Sequence, residues 1–238
     1  MTENPKLAGS NVEDCIPQTG PCPNNCPECF YNRAFYRTLD EPLLPDPDEV
    51  NAAGRIVRVN SGNDSNLERD TVLAATEPYR HKFYNTSIPR FDFPAPVVFT
   101  CNGRGPLYVA CPPNVMAVRI RCNTWDLDEQ FGLAEHYIEQ GVPVVMTFMR
   151  YYTREPEEAQ RYFWRKHLVN DYWCPKPDAV VETMGDLIVR LGQAGLDRRT
   201  VRMCGKPWSS LCVECDNCET LYWACLRRME KGGDDAGR

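Results

Sequence analysis

Short apolar runs that end in polar loops recur along this chain, and they limit its fold more than any other feature. RIVRVN (55–60), HKFYNTSI (81–88), PVVFTCN (96–102), MAVRIRCNTW (116–125) and VPVVMTFMRYY (142–152) each read as a strand, rich in β-branched and aromatic residues. A short first strand is expected within 11–16 and a last one within 199–204. Between these runs the apolar spacing changes from two to about 3.6. LERDTVLAATEPYRH (67–81) reads as a helix, and so does DLDEQFGLAEHYIEQG (126–141), whose Phe131, Leu133, Ala134, Tyr137 and Ile138 form one side. Asp178–Leu191 is a third, with Val180, Val181, Met184, Leu187, Ile188 and Leu191 apolar. Strands alternating with helices predict an α/β fold on a mostly parallel sheet, with VPVVMTFMRYY placed centrally. TREPEEAQRYFWRKHL (153–168) reads as helical and DYWCPKPD (171–178) as a turn.

Parallel sheets bind ligands at the carboxyl ends of their strands. The polar residues there are Asn85, Ser87, Thr100, Asn102, Arg121, Asn123, Thr147, Arg150 and Tyr151. The loop after the first long strand, SGNDSN, adds Ser61, Gly62, Asn63 and Asp64. Two readings of that loop compete. Asp64 or Ser65 can cap the following helix, or Asn63 and Asp64 can accept hydrogen bonds from an ammonium group, with Gly62 letting the backbone come close.

The chain carries 13 Cys, too many to be explained by packing. Its start, MTENPKLAGSNVEDC, has no apolar signal core, so a cytoplasmic protein is expected, and disulfides are disfavoured in that compartment. Metal ligation is the better account. No apolar run is long enough to cross a membrane. The net charge of −6 argues against general nucleic-acid binding.

Two groups of cysteines stand out. Within GPCPNNCPECFYN (20–32), Cys22, Cys26 and Cys29 have the spacing C-x3-C-x2-C. Three thiolates in one turn can hold a metal or an iron–sulfur cluster by three points, and a cubane of four irons then keeps one iron open for a ligand. Near the C-terminus Cys204, Cys212, Cys215 and Cys218 give C-x7-C-x2-C-x2-C, with Cys225 beyond. Four thiolates at such spacing can close a second iron–sulfur cluster or a zinc site, and Cys225 alternatively lies buried on the helix TLYWACLRRME.

The C-x3-C-x2-C triple, the α/β alternation after it and the SGND loop come in the order found in the radical S-adenosylmethionine (radical SAM) superfamily, which residues 22–152 resemble. Glu28 stands where that superfamily commonly has an aromatic residue, and Phe30 and Tyr31 follow the third cysteine. The resemblance implies a partial (β/α) barrel, with Cys22, Cys26 and Cys29 holding a [4Fe-4S] cluster. It implies that Ser61, Gly62, Asn63, Asp64, Arg121 and Asn123 bind S-adenosylmethionine (SAM). It further implies reductive cleavage of SAM to a deoxyadenosyl radical that takes hydrogen from a small-molecule or peptide substrate, with an electron donor such as flavodoxin or ferredoxin. On this reading residues 1–152 form the core, with the cluster loop at 20–32. Residues 153–238 are then a helical region and Cys-rich extension packed on it. The alternative reading is a non-catalytic zinc or iron–sulfur protein whose cysteines staple loops. It would need a fourth ligand beside the triple.

Overall fold

The computed structural model describes residues 4–26, 39–102, 105–122, 124, 127–148, 163–166 and 173–235. Six strands follow one another first: β1 (Val12–Cys15), β2 (Ile56–Val59), β3 (Lys82–Thr86), β4 (Val97–Cys101), β5 (Val115–Cys122) and β6 (Val144–Phe148). Then come β7 (Phe163–Lys166), β8 (Trp173–Pro175) and β9 (Val201–Met203). All but β7 and β8 pair in parallel, in the order β1-β2-β3-β4-β5-β6-β9. The seven-stranded sheet curls into a half-barrel flanked by helices, which is the α/β, partial-barrel architecture expected above. Strands adjacent in sequence are adjacent in the sheet, so the whole carboxyl edge opens on one side.

The helices are α1 (Pro47–Ala52), α2 (Arg69–Thr76), α3 (Asp128–Glu139), α4 (Pro177–Gln193), a single turn α5 (Cys212–Cys215) and α6 (Asn217–Asp235). Asp46 caps α1 through its carboxylate, which accepts from the backbone N–H groups of Asp48 and Glu49. No side chain caps α2; the residue before it is Glu68, in a left-handed conformation. The capping role considered for Asp64 and Ser65 is therefore not used.

The two faces of the sheet are clad differently. Val118, Ile120 and Cys122 of β5 and Val144 and Met146 of β6 pack against Phe131, Leu133 and Tyr137 of α3 and Leu187 and Leu191 of α4. Val57, Val59, Tyr84 and Val97 pack against Val50 of α1 and Val72 of α2. The alternate residues point the other way. There Val12, Ile56, Phe83, Val98, Ala117 and Val145 bury Leu221, Tyr222 and Cys225 of α6. The C-terminal helix thus lies on the second face, over its amino-terminal half. Each of its buried Leu and Tyr side chains contributes about 1.5–3 kcal/mol of burial. Cys225 is fully buried in this contact.

Three expectations are corrected. β6, from the run expected at the centre of the sheet, lies next to the edge strand β9. Residues 163–166 were expected to be helical and 173–175 to lie in a turn; instead β7 and β8 form an antiparallel ribbon. FWRK and WCP are short and aromatic-rich, and pairing at long range overrides the local helical pattern. Val181 and Ile188 of α4 are exposed, so its buried stripe is narrower than the spacing suggests, and Thr183 joins it. The expected helix after Cys29, with Phe30, Ala34 and Phe35, lies outside the described residues, as do Tyr162 and His167. No helix among the described residues is long and apolar enough to cross a membrane.

Candidate cofactor site

On the face that carries α6, the strand residues turn polar toward the carboxyl edge. Ile56 is followed by Arg58, Phe83 by Asn85, Val98 by Thr100, Ala117 by Arg119 and Arg121, and Val145 by Thr147, each two residues on. α6 covers the apolar members, and the polar members line a cavity of about 430 Å³. That size is ordinary for a cofactor or small-molecule site.

The loop after β1 forms one wall. Ile16 pairs with Leu43 in an antiparallel bridge, and the N–H of Gly20, whose φ is +68°, donates to Leu39 O at 3.1 Å. The N–H of Asn25, also left-handed, donates to Cys22 O at 3.2 Å. This turn presents Cys22 and Cys26 together to the cavity, both nearly buried. Asn24 Nδ2 donates to Cys26 Sγ at 3.2 Å and to Ser87 Oγ at 2.8 Å, which ties the cysteine loop to the end of β3. Cys29 lies outside the described residues.

The SGND loop is the adjacent wall. Asn60 takes a left-handed conformation and its N–H donates to Cys15 O at 2.7 Å. Ser61, Gly62, Asn63 and Asp64 all border the cavity. Asp64 is 4% exposed, and its carboxylate accepts four hydrogen bonds. They come from Asn66 N (3.0 Å), Thr86 Oγ1 (2.8 Å), Ser87 N (2.7 Å) and Ser87 Oγ (2.8 Å). With its acceptor positions taken, Asp64 acts in this structure as a brace between the loop and β3. By contrast Asn60 Oδ1, Ser61 Oγ and Thr147 Oγ1 are buried atoms with no partner, and all three residues line the cavity. Buried polar atoms left unpaired cost about 1–3 kcal/mol each. A ligand that bonds to them recovers that cost.

The cavity is cationic on the β5 side. Arg119 and Arg121 both border it, and Arg119 Nη2 reaches Asn85 Oδ1 at 3.5 Å while Asn85 Nδ2 holds Val59 O at 2.8 Å. Thus Arg121, Ser61, Gly62, Asn63 and Asp64 are brought to one cavity with Cys22 and Cys26; Asn123, Arg150 and Tyr151 lie outside the described residues.

The C-terminal loop also lines the cavity. Cys204, Cys212, Cys215 and Cys218 all border the same cavity. None is in a disulfide. Burial pushes the Cys218 thiol up to about 12, against the pull of Arg58 and Arg119, and burial also raises Cys212. Among the described residues, no three Cys, His, Asp or Glu side chains form a group that could hold a metal ion as it stands. No protein-family model, curated protein or solved structure matches this chain.

Arg58, Arg119 and Asn24 escaped sequence reasoning. The signal for Arg58 was a charge inside an otherwise apolar strand, RIVRVN; for Arg119, its position two residues before Arg121, hence on the same face. Nothing in the sequence pointed to Asn24.

Proposed function

We propose that this protein is a radical SAM enzyme. The observation that carries the reading is that Cys22 and Cys26 border the same strand-end cavity as Ser61, Gly62, Asn63 and Arg121. The donor set suits the group. Two thiols of the triple sit nearly buried beside orphaned polar atoms and guanidinium groups, and the loop that carries them is pinned by Asn24. Cys22, Cys26 and Cys29 would hold a [4Fe-4S] cluster. When bound, the group would supply one electron for reductive cleavage of the C–S bond of SAM.

The chain's own residues bind and orient the cofactor. Arg119 and Arg121 offer planar forks to the carboxylate of SAM. Asn63 and Ser61 would take its ammonium group, while the Asp64 carboxylate keeps their loop in place. Asn60 Oδ1 would accept from a hydroxyl group of the cofactor, and Thr147 Oγ1 could donate to or accept from one. An external donor such as a flavodoxin or ferredoxin delivers the electron, and the substrate is a small molecule or peptide.

The test is anaerobic reconstitution with iron and sulfide, followed by SAM and dithionite, with chromatography for deoxyadenosine. Wild type should form it, and the variant with Cys22, Cys26 and Cys29 all changed to Ala should not. Deoxyadenosine from that variant, or none from a fully reconstituted wild type, overturns the reading.

A further inference from the structure

We infer that the floor of the cavity binds an oxyanion, the carboxylate or phosphate group of the substrate, on the open edge of Arg58 with Arg119 beside it. The site begins with a buried ion pair. Asp14 of β1 and Arg58 of β2 are register partners on adjacent parallel strands. Arg58 Nε donates to Asp14 Oδ1 at 2.8 Å, and Asn4 Nδ2 donates to Asp14 Oδ2 at 2.9 Å. The carboxylate thus fixes the guanidinium by one nitrogen and is itself fixed by Asn4. The Nη1 and Nη2 groups of Arg58 have no hydrogen-bond partner among the described residues, although its side chain is only 13% exposed. A carboxylate or phosphate takes such donors two at a time.

Arg119 reaches toward the same floor. It starts on β5, where its register partner is Thr100 of β4. Its Nη2 crosses β4 to within 3.5 Å of Asn85 Oδ1 on β3. Asn85 Nδ2 in turn donates to Val59 O at 2.8 Å, one residue after Arg58. Arg119 therefore ends one strand away from β2. Among the described residues no carboxylate pairs with it, and Asn85 is a neutral partner at long range.

No other group at this depth supplies the missing charge. Asp64, Asp216 and Glu219, which also border the cavity, accept from Ser87, Thr220 and Asn11. Burial raises the Cys212 and Cys218 thiols and keeps them neutral. Two guanidinium groups thus share the single carboxylate of Asp14, and an unmatched charge away from water is costly. An anion between Arg58 and Arg119 removes that cost.

Depth separates this ligand from SAM. Cys26 Sγ lies 3.8 Å from Ser87 Oγ, just past the end of β3. Arg58 is level with Phe83, four residues before Ser87. At about 3.3 Å per residue the two levels are roughly 13 Å apart. The cluster loop is at the rim, and Arg58 is at the floor, next along β2 on that face after Ile56, which α6 covers. SAM carries a sulfonium and an ammonium group, which guanidinium groups repel, so a separate anion suits the floor better. That the anion belongs to the substrate rests on the radical SAM reading above; that the floor binds an anion does not.

The test uses the full chain reconstituted with iron and sulfide, at fixed ionic strength in sodium chloride. Inorganic phosphate and acetate are titrated by calorimetry, with acetamide as the neutral counterpart of acetate. At least one anion should bind saturably, and acetamide should not. Arg58→Lys keeps the charge beside Asp14 but loses the fork, so it should weaken that binding roughly tenfold or more. D14N/R58Q removes both charges together and should abolish it; Arg58→Lys decides if that pair does not fold. Saturating SAM should leave the affinity for the anion within a few-fold. No saturable binding of either anion, or binding unchanged in Arg58→Lys, overturns the inference. Displacement of the anion by SAM also overturns it, because the floor is then the seat of SAM's own carboxylate. None of these readouts needs SAM to be cleaved, so a chain that binds the anion yet makes no deoxyadenosine overturns only the enzyme reading.

Discussion

The two faces of this sheet obey opposite rules, although the same strands make both. On β5, Val118, Ile120 and Cys122 meet α3 and α4 in a closed apolar layer. The residues between them, Arg119 and Arg121, border a cavity with unpaired polar atoms. The first face is complete without any ligand. The second is only half covered, by α6, and its polar half lines the cavity. Stability and binding are therefore separated by a period of two along each strand, and substitutions should sort by parity.

The largest effect on stability belongs to the covered face. Ile120→Ala should cost about 2–5 kcal/mol in urea unfolding, because it leaves a void between β5 and α3. Its folded fraction should bind SAM as wild type does; a loss of affinity beyond tenfold would mean that the faces are not separable. Asp64→Ala comes next, since it deprives Thr86, Ser87 and Asn66 of one shared acceptor. It should lose about 1.5–3 kcal/mol of stability and SAM binding together. Stability kept while binding is lost would make Asp64 a direct ligand of the cofactor and not a brace.

On the cavity face the two readouts should diverge. Arg119→Met should weaken SAM binding by roughly tenfold to a hundredfold, the worth of one charge-assisted contact, and change stability by less than about 1 kcal/mol. Thr147→Val is the smallest and sharpest case. It removes a buried hydroxyl that has no partner, so the unliganded protein should gain about 1 kcal/mol while SAM binding falls a few-fold. If Thr147→Val instead destabilises the protein, the hydroxyl is bonded and the cavity face is not waiting for a ligand.

Much of this parity was legible in the sequence. The strands end where the polar loops begin, and Arg121 is placed at the carboxyl edge by alternation alone. What the sequence did not reveal was relation across the sheet. The burial of α6 on the second face depends on Leu221, Tyr222 and Cys225 joining a cluster drawn from six different strands, which no local pattern encodes. Asp64 looked equally like a cap or a ligand because its four donors come from Asn66 and from β3, about twenty residues on. The Phe163–Lys166 and Trp173–Pro175 ribbon was misread because charged helical composition surrounds two very short strands. The tie between the end of β9 and the start of α6 rests on Asn217, whose Nδ2 donates to Met203 O, and no local pattern in the sequence showed it.

The central claim is that the cavity beside Cys22 and Cys26 brings SAM against an iron left open by three protein ligands. The electron paramagnetic resonance spectrum of the reduced, reconstituted protein tests it most directly. Adding SAM should shift the g values of the reduced cluster, and Arg119→Met should raise the SAM concentration needed for that shift. A cluster signal that is present but unmoved by saturating SAM would contradict the account.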